Sequence, residues 1–415
     1  MGSTKTSHNS QLRLYPIAVV LGVTMGAIAS LFLWLIAHLK DIVWPHHGHT
    51  ETHVFVFGAC VLGGAIVGII NVFAEKNRNS AHDLNEAFAD AESAETEVPP
   101  STQIILGRAA LGITSLGFGG PLGPEAPLIS LGAQLSSRFA GVLRISREQA
   151  VRMSLAGALG ALFVAPLAGV AVQADVVEGQ QSRMSRITSM GPEIIAGLSA
   201  FIVFLKLLPD NNSGPFSAPS SVDPGISMNL LWCGIAALLA AGLGLLTEWL
   251  VPIVRSALVR FTPGGPIVLG TVGGAILGIG AVITPLVLFS GHHETQALLD
   301  GGHSTLSLVA LSLLKVLLVV VCLSGGWFGG QIFPMAFAGA AIALAFGQLV
   351  NCPSIMALAA SGFVAACVVS LRKPVLVLLI FIFLFPMSVW LSMAIAMAVA
   401  IPFVPSSDNP LKSAH

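Results

Sequence analysis

The sequence predicts an all-α polytopic membrane protein made of two related halves. Three observations predict it. First, 54% of its 415 residues are hydrophobic and 9% are charged, where soluble domains carry about 25% charged residues; the mean hydropathy is +0.86. Second, uncharged apolar runs recur at about the 20 residues that cross a bilayer core. Third, the stretch 117–133, GFGGPLGPEAPLISLGA, is crowded with glycine and proline between greasy flanks. Non-helical backbone at membrane depth is tolerated only where protein buries it or where it lines a cavity. Its single acid, Glu125, is therefore a candidate functional residue.

The elements follow in order. Leu14 to Leu39 and Val54 to Ala74 read as the first two spans. Residues 76–100 are polar and acidic, with a helical pattern from His82 to Ala91. Ile104 to Pro124 is apolar but broken by glycines. Ala126 to Ser137 reads as a short apolar helix ending in a basic loop with Arg138, Arg144, Arg147 and Arg152. Ser154 to Ala174 spans again and meets Asp175 and Glu178, and Ile194 to Leu207 follows. Pro209 to Gly225 is rich in Pro, Ser, Asn and Gly and reads as the seam between halves. Met228 to Leu246 opens the second half, with Arg255 and Arg260 expected in a polar turn. Phe261 to Ser290 carries no charge, nor does Val316 to Leu371. Arg372 and Lys373 precede a last apolar stretch from Pro374 to Pro405.

The expected organisation is a cytoplasmic tail (1–13), a first half (14–208), a connecting loop (209–225), a second half (226–405) and a short tail (406–415) with no soluble regulatory domain expected. Basic clusters at the N-terminus, after the second span, at 138–152, 255–260 and 372–373 favour a cytoplasmic N-terminus. Net charge is −1, so no basic field points to nucleic acid. The five cysteines sit in apolar runs without metal-ligand spacing. No cofactor or metal is expected. Glycine pairs four residues apart (Gly22 and Gly26, Gly64 and Gly68, Gly270 and Gly274) suit close helix packing in lipid.

The halves repeat each other. The segment from Asn79 to Phe88 lies beside that from Phe289 to Leu298. An isolated cation follows in each half, Arg108 and Lys315. Each precedes a glycine pair, Gly119-Gly120 or Gly325-Gly326. Then come GPEAPLISLGA (Gly123 to Ala133) and GGQIFPMAFAGA (Gly329 to Ala340), with proline five residues before Gly-Ala in both. Interrupted apolar segments at matching places in two halves point to a transporter binding site. Each break starts a new helix whose first N–H groups lack intrahelical partners and whose dipole end is positive. Two such ends aimed at one point make an anion site. Partial charges offset dehydration without trapping the ion, as conduction requires. Glu125 is then an anion tethered at an anion site. Ionised, it competes with a permeating anion; protonated, it releases its grip. The plainer alternative is a structural acid paired with Arg108 or Lys315. Those two cations either attract anions or brace acids.

These residues resemble the CLC family of chloride channels and chloride/proton antiporters. GPEAP around Glu125 matches the family's G-x-E-G-P gating motif, with alanine for the second glycine. GGQIFPM matches G-x-F-x-P with the phenylalanine shifted by one, and APLAG (Ala165 to Gly169) matches as well. The resemblance runs from about residue 16 to 400. It implies an inverted two-fold repeat of tilted and re-entrant helices, and a homodimer with one pathway per subunit. It further implies anion binding by the backbone near Gly123, Ala126, Ile332 and Phe333, and a bacterial inner membrane as the location. The family's serine motif falls on Arg78 to His82, which reads RNSAH, so Asn79 or Ser80 would supply donors to the anion. The family's central tyrosine has no counterpart; the only tyrosine is Tyr15. The antiporters' inner proton glutamate falls on Val176, with Asp175 beside it as a substitute, water and lost coupling being the alternatives.

The expected function is transport of chloride or a related halide by proton-coupled exchange, with Glu125 as gate. The alternatives are a passive chloride channel and a fluoride exporter. An intramembrane hydrolase built on Ser324 is the remote enzyme reading, and it lacks a base at useful spacing. Asp175 and Glu178, one helical turn apart, read as a solvated helix end ahead of a proton relay. His46, His47, His49 and His53 read as a wet loop rather than a metal site.

Overall fold

A computed structural model describes residues 12–45, 52–74, 83–97, 101–163, 165, 190–208, 216 and 226–405. Among them there is no strand, and the chain is a multi-pass bundle of α-helices. In the first half these are α1 (Leu14–Val43), α2 (His53–Ala74), α3 (Leu84–Thr96), α4 (Thr102–Gly117), α5 (Glu125–Leu143), α6 (Arg147–Leu162) and α7 (Gly191–Leu207). The second half has α8 (Ile226–Phe261), α9 (Gly265–Ile283), α10 (His292–Leu299), α11 (Thr305–Ser324), α12 (Ile332–Leu349), α13 (Ile355–Leu371), α14 (Pro374–Phe381) and α15 (Trp390–Ala400). Six are long and apolar enough to cross a membrane: α1, α2, α8, α9, α11 and α12. Large apolar side chains such as Val54, Leu231, Trp249 and Ile283 stand exposed on the outside of the bundle, the surface that lipid covers in a membrane protein.

The two halves match helix for helix around the breaks, with a constant offset of 207 residues. Arg108 and Lys315 are mates, as are Gly119 and Gly326, Gly123 and Gly330, and the helix starts Glu125 and Ile332. Both breaks are made the same way. Gly119 has φ +89° and its mate Gly326 φ +83°. The next N–H reaches five residues back: Gly120 to the Ser115 carbonyl at 3.0 Å, and Trp327 to the Cys322 carbonyl at 3.0 Å. This is a Schellman ending, for which glycine is favoured because it adopts the left-handed conformation without a steric penalty. Past the breaks, even the left-handed residues agree: Arg144 at φ 55° and Asn351 at φ 50°.

Small residues let the halves touch. A Cβ on Gly64 would lie 2.2 Å from the Gly270 carbonyl oxygen, and one on Gly270 would lie 2.4 Å from that of Gly64. Cys60 meets Gly274, and Gly68 meets Ile267, so α2 and α9 cross antiparallel in backbone contact. Gly22 lies on Ala196 and Gly26 on Ala200, so α1 and α7 run parallel. The predicted close packing at these glycine pairs is therefore present.

Helix bounds differ from the sequence reading at three places. Arg255 and Arg260 are not in a turn; α8 continues through Pro252 to Phe261. Proline lacks one donor but does not end a helix whose neighbours re-satisfy the freed groups. The expected short helix from Ala126 runs on to Leu143, because the polar residues Ser130, Gln134, Ser136 and Ser137 are buried against protein rather than marking its end. The span expected from Ser154 to Ala174 is instead α6, which begins at Arg147, where Ser146 and Gln149 form a capping box, and ends at Leu162.

Candidate functional site

The breaks bring the starts of α5 and α12 together. Gly123 donates to the Gly330 carbonyl at 2.7 Å and Gly330 donates to that of Gly123 at 2.7 Å. This reciprocal pair of mates joins the halves directly. The Glu125 side chain folds back over it. A Cβ on Gly123 would fall 2.0 Å from Oε2 of Glu125, and one on Gly330 would fall 2.1 Å from the same oxygen. Any side chain at either glycine would evict the carboxylate.

Glu125 is fully buried. Among the described residues, neither carboxylate oxygen closes a well-formed hydrogen bond. The N–H groups of Glu125 itself and of Phe333 face it. A buried carboxylate without a cation costs several kcal/mol, so chance is a poor reason for its place. What faces it instead is the start of α12, whose first N–H groups are left open by helix geometry. Ala126, Ile332 and Phe333 are all buried at these two helix starts. The Phe333 ring packs on Phe163, with centroids 5.7 Å apart, and on His292 at 4.9 Å.

The two isolated cations do not reach Glu125. Arg108 donates to Asp90 at 2.5 Å and to the Ser130 hydroxyl at 3.4 Å. Of the two roles left open for it, it braces an acid, and that acid is Asp90 on α3. Lys315 is fully buried and donates to the carbonyls of Val287, Leu288 and Phe289 at 3.0, 3.1 and 2.8 Å. It caps a loop end rather than an acid. The plainer reading of Glu125 as a partner of Arg108 or Lys315 is thus overturned by geometry. Ser324 donates to the Val251 carbonyl at 3.2 Å. Asn79, Ser80 and Asp175 lie outside the described residues, as do Val176, Glu178 and His46, His47 and His49. No cluster of metal-ligand side chains occurs among the described residues.

Reading from sequence missed three contributors. Gly330 carried a signal, since it sits 207 positions after Gly123. Asp90 carried none, because nothing local marks which acid will meet Arg108. Lys40 also went unnoticed. It ends α1, and it lines a cavity of about 140 Å³ with Pro124, Phe333, His292 and His293.

Comparison with known proteins agrees with this arrangement. The sequence profile of a family described as voltage gated chloride channel matches residues 64–404. The chain belongs to the voltage-gated chloride channel family. Among curated relatives, YfeO of Escherichia coli (strain 55989 / EAEC), provisionally named for ion transport, is 26% identical over 337 residues. That alignment covers 79% of this chain and 77% of the relative. YfeO of Shigella sonnei is 25% identical over the same length and shares. Two crystal structures have the same fold. A CLC-type fluoride/proton antiporter superposes with a TM-score of 0.75 at 18% identity, covering 94% of this chain and 95% of that one. A slow cyanobacterial Cl⁻/H⁺ antiporter gives 0.78 at 18% identity, covering 94% of each. Membership of the chloride channel family makes the chain a non-enzyme, and the Ser324 hydrolase reading falls with it. The family's inverted repeat of tilted and broken helices is the fold described above.

Proposed function

We propose that the chain carries chloride or a related halide across a bacterial inner membrane in exchange for protons, with Glu125 as the gate. The observation that supports this most is the Glu125 carboxylate itself, buried without a cation at the junction of two helix starts. A halide entering the Gly123–Gly330 junction would meet the N–H groups that face that carboxylate. The anion and the ionised side chain compete for one place. Protonation removes the competitor's charge and frees it to swing away, so one residue both gates the path and carries the proton. Backbone at Gly123, Ala126, Ile332 and Phe333 forms the anion seat. In this reading Asn79 or Ser80 supplies side-chain donors to the anion, and Asp175 serves as the inner proton group.

We take Arg144, Arg147, Arg152, Arg255, Arg260, Arg372 and Lys373, at or near the ends of α5, α6, α8 and α13, to mark one basic side of the bundle. Lys40 and Lys206 end α1 and α7, which start on that basic side. The positive-inside rule makes the basic side cytoplasmic, with the N-terminus on it. The two halves, 14–208 and 226–405, act as one pathway joined by 209–225, and two such chains form a homodimer. Structural relatives described as fluoride/proton and Cl⁻/H⁺ antiporters favour exchange over a passive channel, and the first keeps fluoride open as substrate.

The test is purified protein in liposomes with a chloride or fluoride gradient and a pH reading. The expected result is proton movement driven by the halide gradient in the wild type. Glu125→Gln should keep halide flux and lose the proton signal. Halide flux without protons in the wild type supports the passive channel. No flux of any halide removes both readings.

A further inference from the structure

A cavity of about 140 Å³ beside Pro124, the neighbour of Glu125, is lined by two kinds of residue. Leu122, Pro124 and Phe333 frame the gate. Lys40, His292 and His293 come from the end of α1 and the start of α10. The cavity therefore joins the gate to a group of basic side chains. The Lys40 ammonium stands 3.8 Å over the Phe289 ring. Among the described residues it makes no ion pair. The acids that face it are Asp41, next in the chain, and Glu294, in the first turn of α10. The carbonyl oxygens of Val287, Leu288 and Phe289, which would otherwise oppose an anion here, are occupied by Lys315. No basic residue sits in the Gly123–Glu125 turn itself, which reads Gly-Pro-Glu.

We propose that Lys40, flanked by His292 and His293, is a vestibular anion-collecting station from which a halide passes to the Glu125 seat. This rests on the anion-transport reading above. The Lys40 side chain is partly buried and Glu294 and Asp41 oppose its charge; it concentrates anions without holding them, as rapid passage requires. A cation lining a cleft raises the local concentration of anions, and here the nearby acids Asp41 and Glu294 offset part of that field. Glu294 sets the limit of that effect by opposing it. The competing explanation is that Lys40 only clamps Phe289 by its cation–π contact.

The test is halide flux in liposomes at low and high ionic strength, the latter set with an impermeant salt. Lys40→Met should raise the half-saturating halide concentration about three- to tenfold at low ionic strength. The difference should vanish near roughly 1 M salt, where screening acts over about 3 Å. Glu294→Gln should shift it the opposite way, and Lys40→Arg should match the wild type. Lys40→Cys adds a readout that a structural clamp would not give, since the native cysteines are all buried. Reaction with a cationic thiosulfonate should restore low-concentration flux, and reaction with an anionic one should depress it further. Equal effects of the two reagents, or an unchanged Lys40→Met, overturn the station while leaving the transport reading in place. A wild type that moves no halide overturns both.

Discussion

Gly123 and Gly330 exchange backbone hydrogen bonds of 2.7 Å in both directions, and they occupy the same position in the two halves. The pseudo-symmetry of the chain thus passes through one pair of glycines, directly under the carboxylate of Glu125. This explains why both must lack side chains. Their backbones pair, and their open faces hold the carboxylate at distances where no Cβ fits.

Gly330→Ala should therefore expel Glu125 from its seat without touching Glu125 itself. The expected outcome is raised halide flux with weakened proton coupling. In a double-mutant comparison with Glu125→Ala the two effects should be non-additive, because they act on one contact. Flux measurements on the three variants check this; full additivity speaks against a shared seat.

Asp90→Asn separates bracing from anion binding. Arg108 is 5% exposed and Asp90 is its charged partner. Removing that charge leaves a buried guanidinium uncompensated, which is destabilising by about 3–5 kcal/mol for a fully buried pair. Asp90 is 27% exposed on its side chain, so about half that loss is the better expectation. Thermal unfolding in detergent should show it, with halide affinity unchanged. A change in halide affinity at full stability would return Arg108 to the anion path.

Gly64→Leu tests the contact between halves. Its first side-chain carbon would lie 2.2 Å from the Gly270 carbonyl oxygen, so α2 and α9 must separate. Overpacking of this kind typically costs about 1–3 kcal/mol. The folded yield should drop sharply, whereas Gly58→Leu, where a Cβ meets nothing within 4 Å, should be tolerated. Equal yields of the two would show that the crossing is loose.

The fold was largely legible because the bilayer imposes simple rules on sequence. Span lengths, glycine pairs and the two breaks are local patterns, and the repeat ties Arg108 to Lys315 and GPEAPLISLGA to GGQIFPMAFAGA before any coordinates. Side-chain partners were not legible. Arg108 and Lys315 are mates in position yet bond to different things, a carboxylate and three carbonyls, because each answers to the group that tertiary packing delivers. Helix ends misled where polarity was read as exposure. Ser136 and Ser137 are buried in α5, with Ser137 donating to the Ala94 carbonyl at 2.6 Å, and Arg255 and Arg260 belong to α8, which ends only at Phe261.

Competition between the Glu125 carboxylate and a halide for one seat is most directly tested by calorimetric halide binding to the solubilised protein across pH. Wild-type affinity should tighten as pH falls, since protonation removes the competing charge. Glu125→Ala should bind about tenfold or more tightly than the wild type at high pH, a difference of about 1.4 kcal/mol, and should show no pH dependence. Equal affinities for the two proteins at every pH would contradict the shared seat.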